Sequence, residues 1–238
     1  MLTDSTPKKT PDSPLDIVAS ISVDCIIFGL ENGRLKVLLI KRDIEPSRGT
    51  WALIGGFVLE EEDLDRSAKR VLSEMTGMTN IFMEQIHTFG NVNRFPLRRV
   101  VTTAYYALIN LRHENLLPGP DASEVKWFDI AEIPQLVFDH RQILDCALAH
   151  LRNKVRHEPI GFELLPAKFT LTELQSLYEG VLDTELDTRN FRKKLFKMNL
   201  LVKLDEKQKG VAHRAAQLYR FDKGRYNQLK EAGFTFEL

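Results

Sequence analysis

Residues 56–78 read GFVLEEEDLDRSAKRVLSEMTGM, and the fold turns on how this stretch is read. Leu64, Ala68, Val71, Leu72 and Met75 recur at spacings of three and four, the period of a helix with one apolar face, so a helix is predicted from Leu64 to Thr76. Gly77 follows where a left-handed residue can close the helix. Ahead of it come Gly55-Gly56 and the acidic loop Glu60-Glu61-Glu62-Asp63. Residues three and four apart are neighbours on a helix, so positions 71, 74 and 75 share one face. Only Glu74 among them carries a carboxylate.

Upstream, residues 1–15 are polar and rich in Ser, Thr and Pro, and are expected to be a disordered tail. Ile17 to Leu30 reads as a strand, Glu31-Asn32-Gly33-Arg34 as a tight turn and Leu35 to Lys41 as the returning strand. Trp51 to Phe57 is an apolar run. Downstream, strands are predicted over Ile81 to Gly90, Val100 to Asn110 and Glu124 to Phe128, then an amphipathic helix over Arg141 to Lys154. Asp139 is read as the N-cap of that helix. Residues 159–166 read as a linker. Thr170-Leu171-Thr172-Glu173 is a capping-box pattern opening a helix that runs to about Tyr178. Asp187 or Thr188 caps a second helix through Met198, and strands at Leu200 to Leu204 and Gln217 to Phe221 flank a basic loop. Helix, helix, strand, loop, strand is the order at the end of a winged helix-turn-helix domain.

Composition limits the classes. With 43% hydrophobic and 28% charged residues, the 238-residue chain suits a soluble, globular, two-domain protein. No apolar run reaches the roughly 18 residues of a membrane span. Cys25 and Cys146 lie in apolar surroundings without a CxxC partner, as free thiols of a reducing cytoplasm do. Net charge is zero, yet Asp187 to Arg225 holds twelve basic and four acidic residues, a local +8 that attracts phosphates. In the helix at its start, Phe191, Leu195 and Met198 form a core stripe, leaving Arg189, Asn190, Arg192, Lys193 and Lys197 to face a DNA groove. Lys209, His213 and Arg214 fit a wing along the backbone. The plainer alternative is a solvated basic face with no partner, or one serving RNA or protein.

The 56–78 stretch resembles the Nudix box: a glycine, five residues, a glutamate, seven residues, then R-E-U-x-E-E-x-G-U with U apolar. Gly56, Glu62, Arg70, Leu72, Glu74, Gly77 and Met78 match; Val71 and Met75 stand where the family has glutamates. In active members that face presents carboxylates to Mg²⁺, which takes hard oxygen ligands, neutralises a pyrophosphate and activates a water. Val71 and Met75 supply none, so Glu62, Arg70 and Glu74 are read as a salt-bridge frame, with no catalytic residue, metal or cofactor. The alternative is an active hydrolase of ADP-ribose or nucleoside diphosphate derivatives.

A Nudix domain followed by a winged helix resembles the Nudix-related bacterial transcription regulators, among them regulators of NAD metabolism and sugar-responsive regulators of the arabinose type. Phe138-Asp139-His140, GFELLPAKF at 161–169, Arg189-Asn190-Phe191-Arg192-Lys193 and Gly90-Asn91-Val92 carry that likeness, with a leaning to the sugar branch. It implies an α+β fold: an α/β/α Nudix sandwich with a mixed sheet (16–156) and a C-terminal winged helix-turn-helix domain (157–238). It also implies a homodimeric repressor on palindromic operator DNA, released by a sugar or ADP-ribose-like effector. The effector pocket is expected between the sheet and the Nudix helix, with Asp24, Arg42, Gly56, His87, Phe89 and Arg99 as candidates.

Overall fold

The computed structural model describes residues 20–31, 33–111, 116–210, 215–234 and 236–237. The expected N-terminal tail, Asn32 of the turn, and His213 and Arg214 of the wing lie outside them. Seven strands form the first sheet: β1 (Ile21–Glu31), β2 (Arg34–Arg42), β3 (Trp51–Ala52), β4 (Ile54–Phe57), β5 (Glu84–Phe89), β6 (Val101–Asn110) and β7 (Ala122–Asp129). The path runs β3-β2-β1-β6-β5, with β4 on β1 and β7 on β2. Only β1 and β6 run parallel, and the other pairs are antiparallel, so the sheet is mixed as expected. One edge of β1 is shared: its first half pairs with β4 and its last residues with β2.

Alternation along β1 sends successive side chains to opposite faces. Val23, Cys25 and Ile27 join Leu38, Ile40, Ile54 and Tyr105 under α1 (Leu64–Thr76), which contributes Ala68, Val71, Leu72 and Met75. Ile26 and Phe28 join Val37, Leu39, Leu53 and Tyr106 under α2 (His140–His157), which contributes Ile143, Leu144, Ala147 and Leu151. Helix, sheet and helix are therefore stacked as a sandwich. α1 has the predicted bounds, because its ends are local: the Asp63 carboxylate accepts from the Arg66 N–H, and Gly77 is left-handed at φ 76°. Burial pushes the Cys25 thiol up, with the neighbouring Asp24 charge adding to it, which leaves an inert thiol. Cys146 is free but only half-buried.

The linker read at 159–166 is a short 3-10 helix, Pro159–Leu164. Next come α3 (Leu171–Leu182), α4 (Thr188–Met198), the hairpin β8 (Leu201–Lys207) and β9 (Gln217–Phe221), and α5 (Lys223–Glu231). Both reciprocal bonds of the Thr170–Glu173 capping box are made. α3 runs four residues past its predicted end at Tyr178, and Gly180 sits within it for a packing reason. A Cβ at 180 would collide with the carbonyl of Gly33, the left-handed glycine (φ 75°) of the β1–β2 turn. The sandwich and the winged helix thus touch backbone to backbone, and the α2-side core continues into Leu174, Leu177, Tyr178, Phe191 and Leu195. Gly180→Ala is expected to lower stability by about 2–4 kcal/mol, since neither backbone can give way locally; a thermal melt of the full chain reads it.

Candidate functional site

The space between the sheet and α1, where the pocket was expected, is filled. Val71 and Met75 are 1% and 7% exposed among apolar neighbours. Gly56 lies against this face: a Cβ there would come within 2.8 Å of Val71 Cγ2. Arg70 holds the rest of the box together. Its Nε and Nη2 donate to the Glu62 carboxylate at 2.5 and 2.9 Å, Nη1 to Glu74 at 2.9 Å and Nη2 to the Phe57 carbonyl at 2.9 Å. Arg70 thereby keeps the Glu62 carboxyl below the ordinary carboxylate range. Both matching glutamates are engaged by one guanidinium, and positions 71 and 75 offer no oxygen. These residues do not fit the Mg²⁺ site of active members. Among the described residues, no group of three or more His, Cys, Asp or Glu could hold a metal ion.

Polar side chains gather instead on the opposite face, at the N-terminal end of α2. Asp24 has the parity of Ile26 and Phe28 and is 4% exposed. Its Oδ2 accepts from Thr102 Oγ1 at 2.8 Å and from Arg94 Nη2 at 3.3 Å. Arg94, from the loop between β5 and β6, forks onto Asp139 through Nε (2.8 Å) and Nη2 (2.9 Å). Asp139 does occupy the N-cap position of α2, but its side chain makes no capping bond there, because the carboxylate is taken by Arg94. His140 lies beside it, with Nε2 at 3.8 Å from Asp24 Oδ1, and its Nδ1 accepts the Leu53 N–H at 2.9 Å.

Accepting that bond fixes His140 as the neutral Nε2–H form, and burial lowers its pKa from the ordinary histidine value, against the pull of Asp24 and Asp139. The sign follows. The unfolded chain takes a proton at about pH 6.5 that the folded site resists, so stability is unaffected above that pH and falls as pH drops below it. Melting temperature is expected to decline from pH 7 to pH 5, and less steeply in His140→Gln; equal slopes would contradict the assignment.

The other candidate residues divide. Arg42 is half-buried at the end of β2, donating to the Pro46 carbonyl at 3.1 Å with its guanidinium 5.4 Å from the Phe138 ring. Phe138 in turn touches Phe95 and His140. Burial lowers the Arg42 pKa, while Asp121 and Glu45 oppose the shift. His87 pairs in register with Ala104, which pairs with Asp24, and its exposed ring meets the buried Phe89. Arg99 closes its own loop by donating to the Asn91 carbonyl at 2.9 Å. So Asp24, His87 and Phe89 belong to the α2 side and Gly56 to the α1 side, while Arg42 lies at the end of β2 against Phe138 and Arg99 at the rim. Sequence reasoning missed Arg94 and Thr102. Their partners lie 70 and 78 residues away, so no local pattern marks them.

On α4, Phe191 and Leu195 are buried and Met198 is half-buried, as the stripe required. Asp187 caps the helix, its carboxylate accepting from the Asn190 N–H. Arg189, Asn190, Lys193, Lys194 and Lys197 are exposed, while Arg192 is half-buried and its Nε has no partner among the described residues. Lys209 is exposed at the end of the β8–β9 hairpin. A capped helix with an apolar inner face and a cationic outer face, beside a basic hairpin, has the form of a DNA-reading unit.

A family model described as the NUDIX domain matches residues 20–146, and one described as the NrtR DNA-binding winged helix domain matches residues 161–221. The ADPR responsive transcriptional repressor NtrR of Acinetobacter baylyi is 38% identical over 204 residues, which are 84% of this chain and 81% of the relative. The chain belongs to the NrtR family of Nudix-related transcription regulators. Shewanella oneidensis NrtR, crystallised with a 27mer DNA, is similar over 91% of this chain and 97% of its own at 30% identity and TM-score 0.70. The NUDIX domain of that NrtR, crystallised with ADP ribose, is 33% identical over 58% of this chain and 93% of its own, with TM-score 0.54. The leaning toward the arabinose-type branch finds no support: the molecule named with these NrtR relatives is ADP-ribose, not a free sugar.

Proposed function

We propose that this chain is an ADP-ribose-responsive DNA-binding repressor whose Nudix domain, residues 16–156, binds its effector without cleaving it. Residues 157–238 form the winged helix, and two copies meet a palindromic operator in the cytoplasm. The observation that carries the reading is the pairing of two faces: Val71 and Met75 sealed in the core where catalytic carboxylates would stand, and α4 with Arg189, Asn190, Lys193 and Lys197 exposed. The ADP-ribose named with two NrtR relatives suits the α2-side cluster, where Arg94 and, at its margin, Arg42 offer guanidinium groups to a pyrophosphate and Asp24 offers an acceptor to a ribose hydroxyl. Binding of ADP-ribose lowers DNA affinity by favouring another arrangement of the paired winged helices.

Fluorescence anisotropy of promoter DNA from the chain's own gene neighbourhood tests the DNA half. Salt-sensitive, sequence-preferring binding that ADP-ribose weakens is expected; binding indifferent to sequence would contradict it. Incubation with ADP-ribose and Mg²⁺ tests the sensor half. The expected result is intact ADP-ribose; turnover abolished by Glu74→Ala would establish the hydrolase instead.

A further inference from the structure

We propose that Arg94 is a positioning residue, a latch that sets the seat of α2 and through it the setting of the DNA-reading helix α4. This rests on the reading above that an anionic effector enters the α2-side cluster. Arg94 joins three separate pieces of chain: its own loop between β5 and β6, Asp24 on β1, and Asp139 at the first turn of α2. Its side chain is only 5% exposed, and the two carboxylates there outnumber its single positive charge. An effector phosphate competes with Asp139 for the same fork of N–H donors. Once released, Asp139 is free to cap the N–H groups of α2 that it leaves uncapped here. The latch thus has two alternative bonding patterns, which is what a switching element requires.

The far end of α2 carries the consequence. With 18 residues, α2 is about 27 Å long. Its last turns hold two partners: His150 and Lys154 pair with Glu84 of β5, and the opposite side of the helix holds the winged helix. Leu151 and Val155 are fully buried in one core with Leu177, Tyr178, Val181, Phe191 and Leu195. Arg152 Nε donates to the Val181 carbonyl at 3.1 Å, and Nη2 reaches Asp183 at 3.4 Å, in the turn between α3 and α4. Arg156, with Asn190 and Lys194 of α4, lines a cavity of about 220 Å³. A helix this rigid, fixed to the effector site at one end and to the α3–α4 turn at the other, passes a shift of its first turn to the base of α4.

Two measurements on the full chain test the latch. The first needs no ligand: hydrogen exchange of Asp139→Asn, which keeps an acceptor for Arg94 but loses the charge, with Arg94→Lys as a second variant that keeps the charge but loses the fork. Exchange across 183–198 should be at least threefold faster than in the wild type, as well as around 90–100 and 137–145. Change confined to those local segments would overturn the proposal, because a merely structural role ends there. The second uses Arg152→Gln. Calorimetric affinity for ADP-ribose should stay within twofold of wild type, while the factor by which ADP-ribose weakens operator binding falls at least fivefold; an unchanged factor would overturn the proposal. Should ADP-ribose leave wild-type DNA binding untouched, the effector reading fails, and the exchange arm decides the latch on its own.

Discussion

Lys193→Glu combined with Lys197→Glu is expected to cut affinity for operator DNA at least about 100-fold at moderate salt, because two exposed cations of the proposed DNA face become two repelled anions. Both side chains are exposed on α4, outside the Phe191–Leu195 stripe that holds the helix to its domain. Surface substitutions away from packed positions usually change stability by less than about 0.5 kcal/mol, so the melting temperature should hold while binding is lost. The companion Lys→Ala pair should lower the slope of log affinity against log salt by about 2, one per phosphate contact removed. Arg192 is a poorer choice, since it is half-buried and its reversal would mix folding with binding. Unchanged affinity in the Lys193/Lys197 pair would move the DNA surface off α4.

Val71→Glu, which restores the residue of the active Nudix box, is expected to damage the fold rather than create a hydrolase. Val71 is 1% exposed and packs on Gly56, with Ala68, Leu72 and Ile54 in the same core. The adjacent cation, Arg70, is already bonded to Glu62, Glu74 and the Phe57 carbonyl. An unpaired charge buried in this way costs on the order of 3–5 kcal/mol. At roughly 2–4 °C per kcal/mol for a chain of this size, the melting temperature should fall by about 10 °C. A variant that melts like the wild type and gains Mg²⁺-dependent turnover would contradict the view that this face has become structural core.

What was legible in the sequence was whatever is fixed locally. The bounds of α1, the caps of α3 and α4, and the stripe on α4 depend on residues within one or two turns, and each stands as the spacing required. α5 went unread because none of its residues is buried, so it carries no apolar period to find. The side of the sheet bearing the polar cluster was misplaced, although the parity of β1 held the signal: Asp24 alternates with Val23 and Cys25, and so faces away from α1. The Arg94 fork and the Gly33–Gly180 contact had no local trace, since each joins residues that only the fold brings together. Asp139 was placed correctly at the head of α2 and given the wrong partner for the same reason.

The central claim is a Nudix domain that binds ADP-ribose without cutting it and passes the binding to DNA. It is tested most directly by adding ADP-ribose and Mg²⁺ to the full chain bound to its operator, following DNA release by anisotropy and the nucleotide by chromatography in the same sample. The account predicts saturable DNA release with all of the ADP-ribose recovered intact. Steady cleavage of ADP-ribose with the DNA still bound would contradict it.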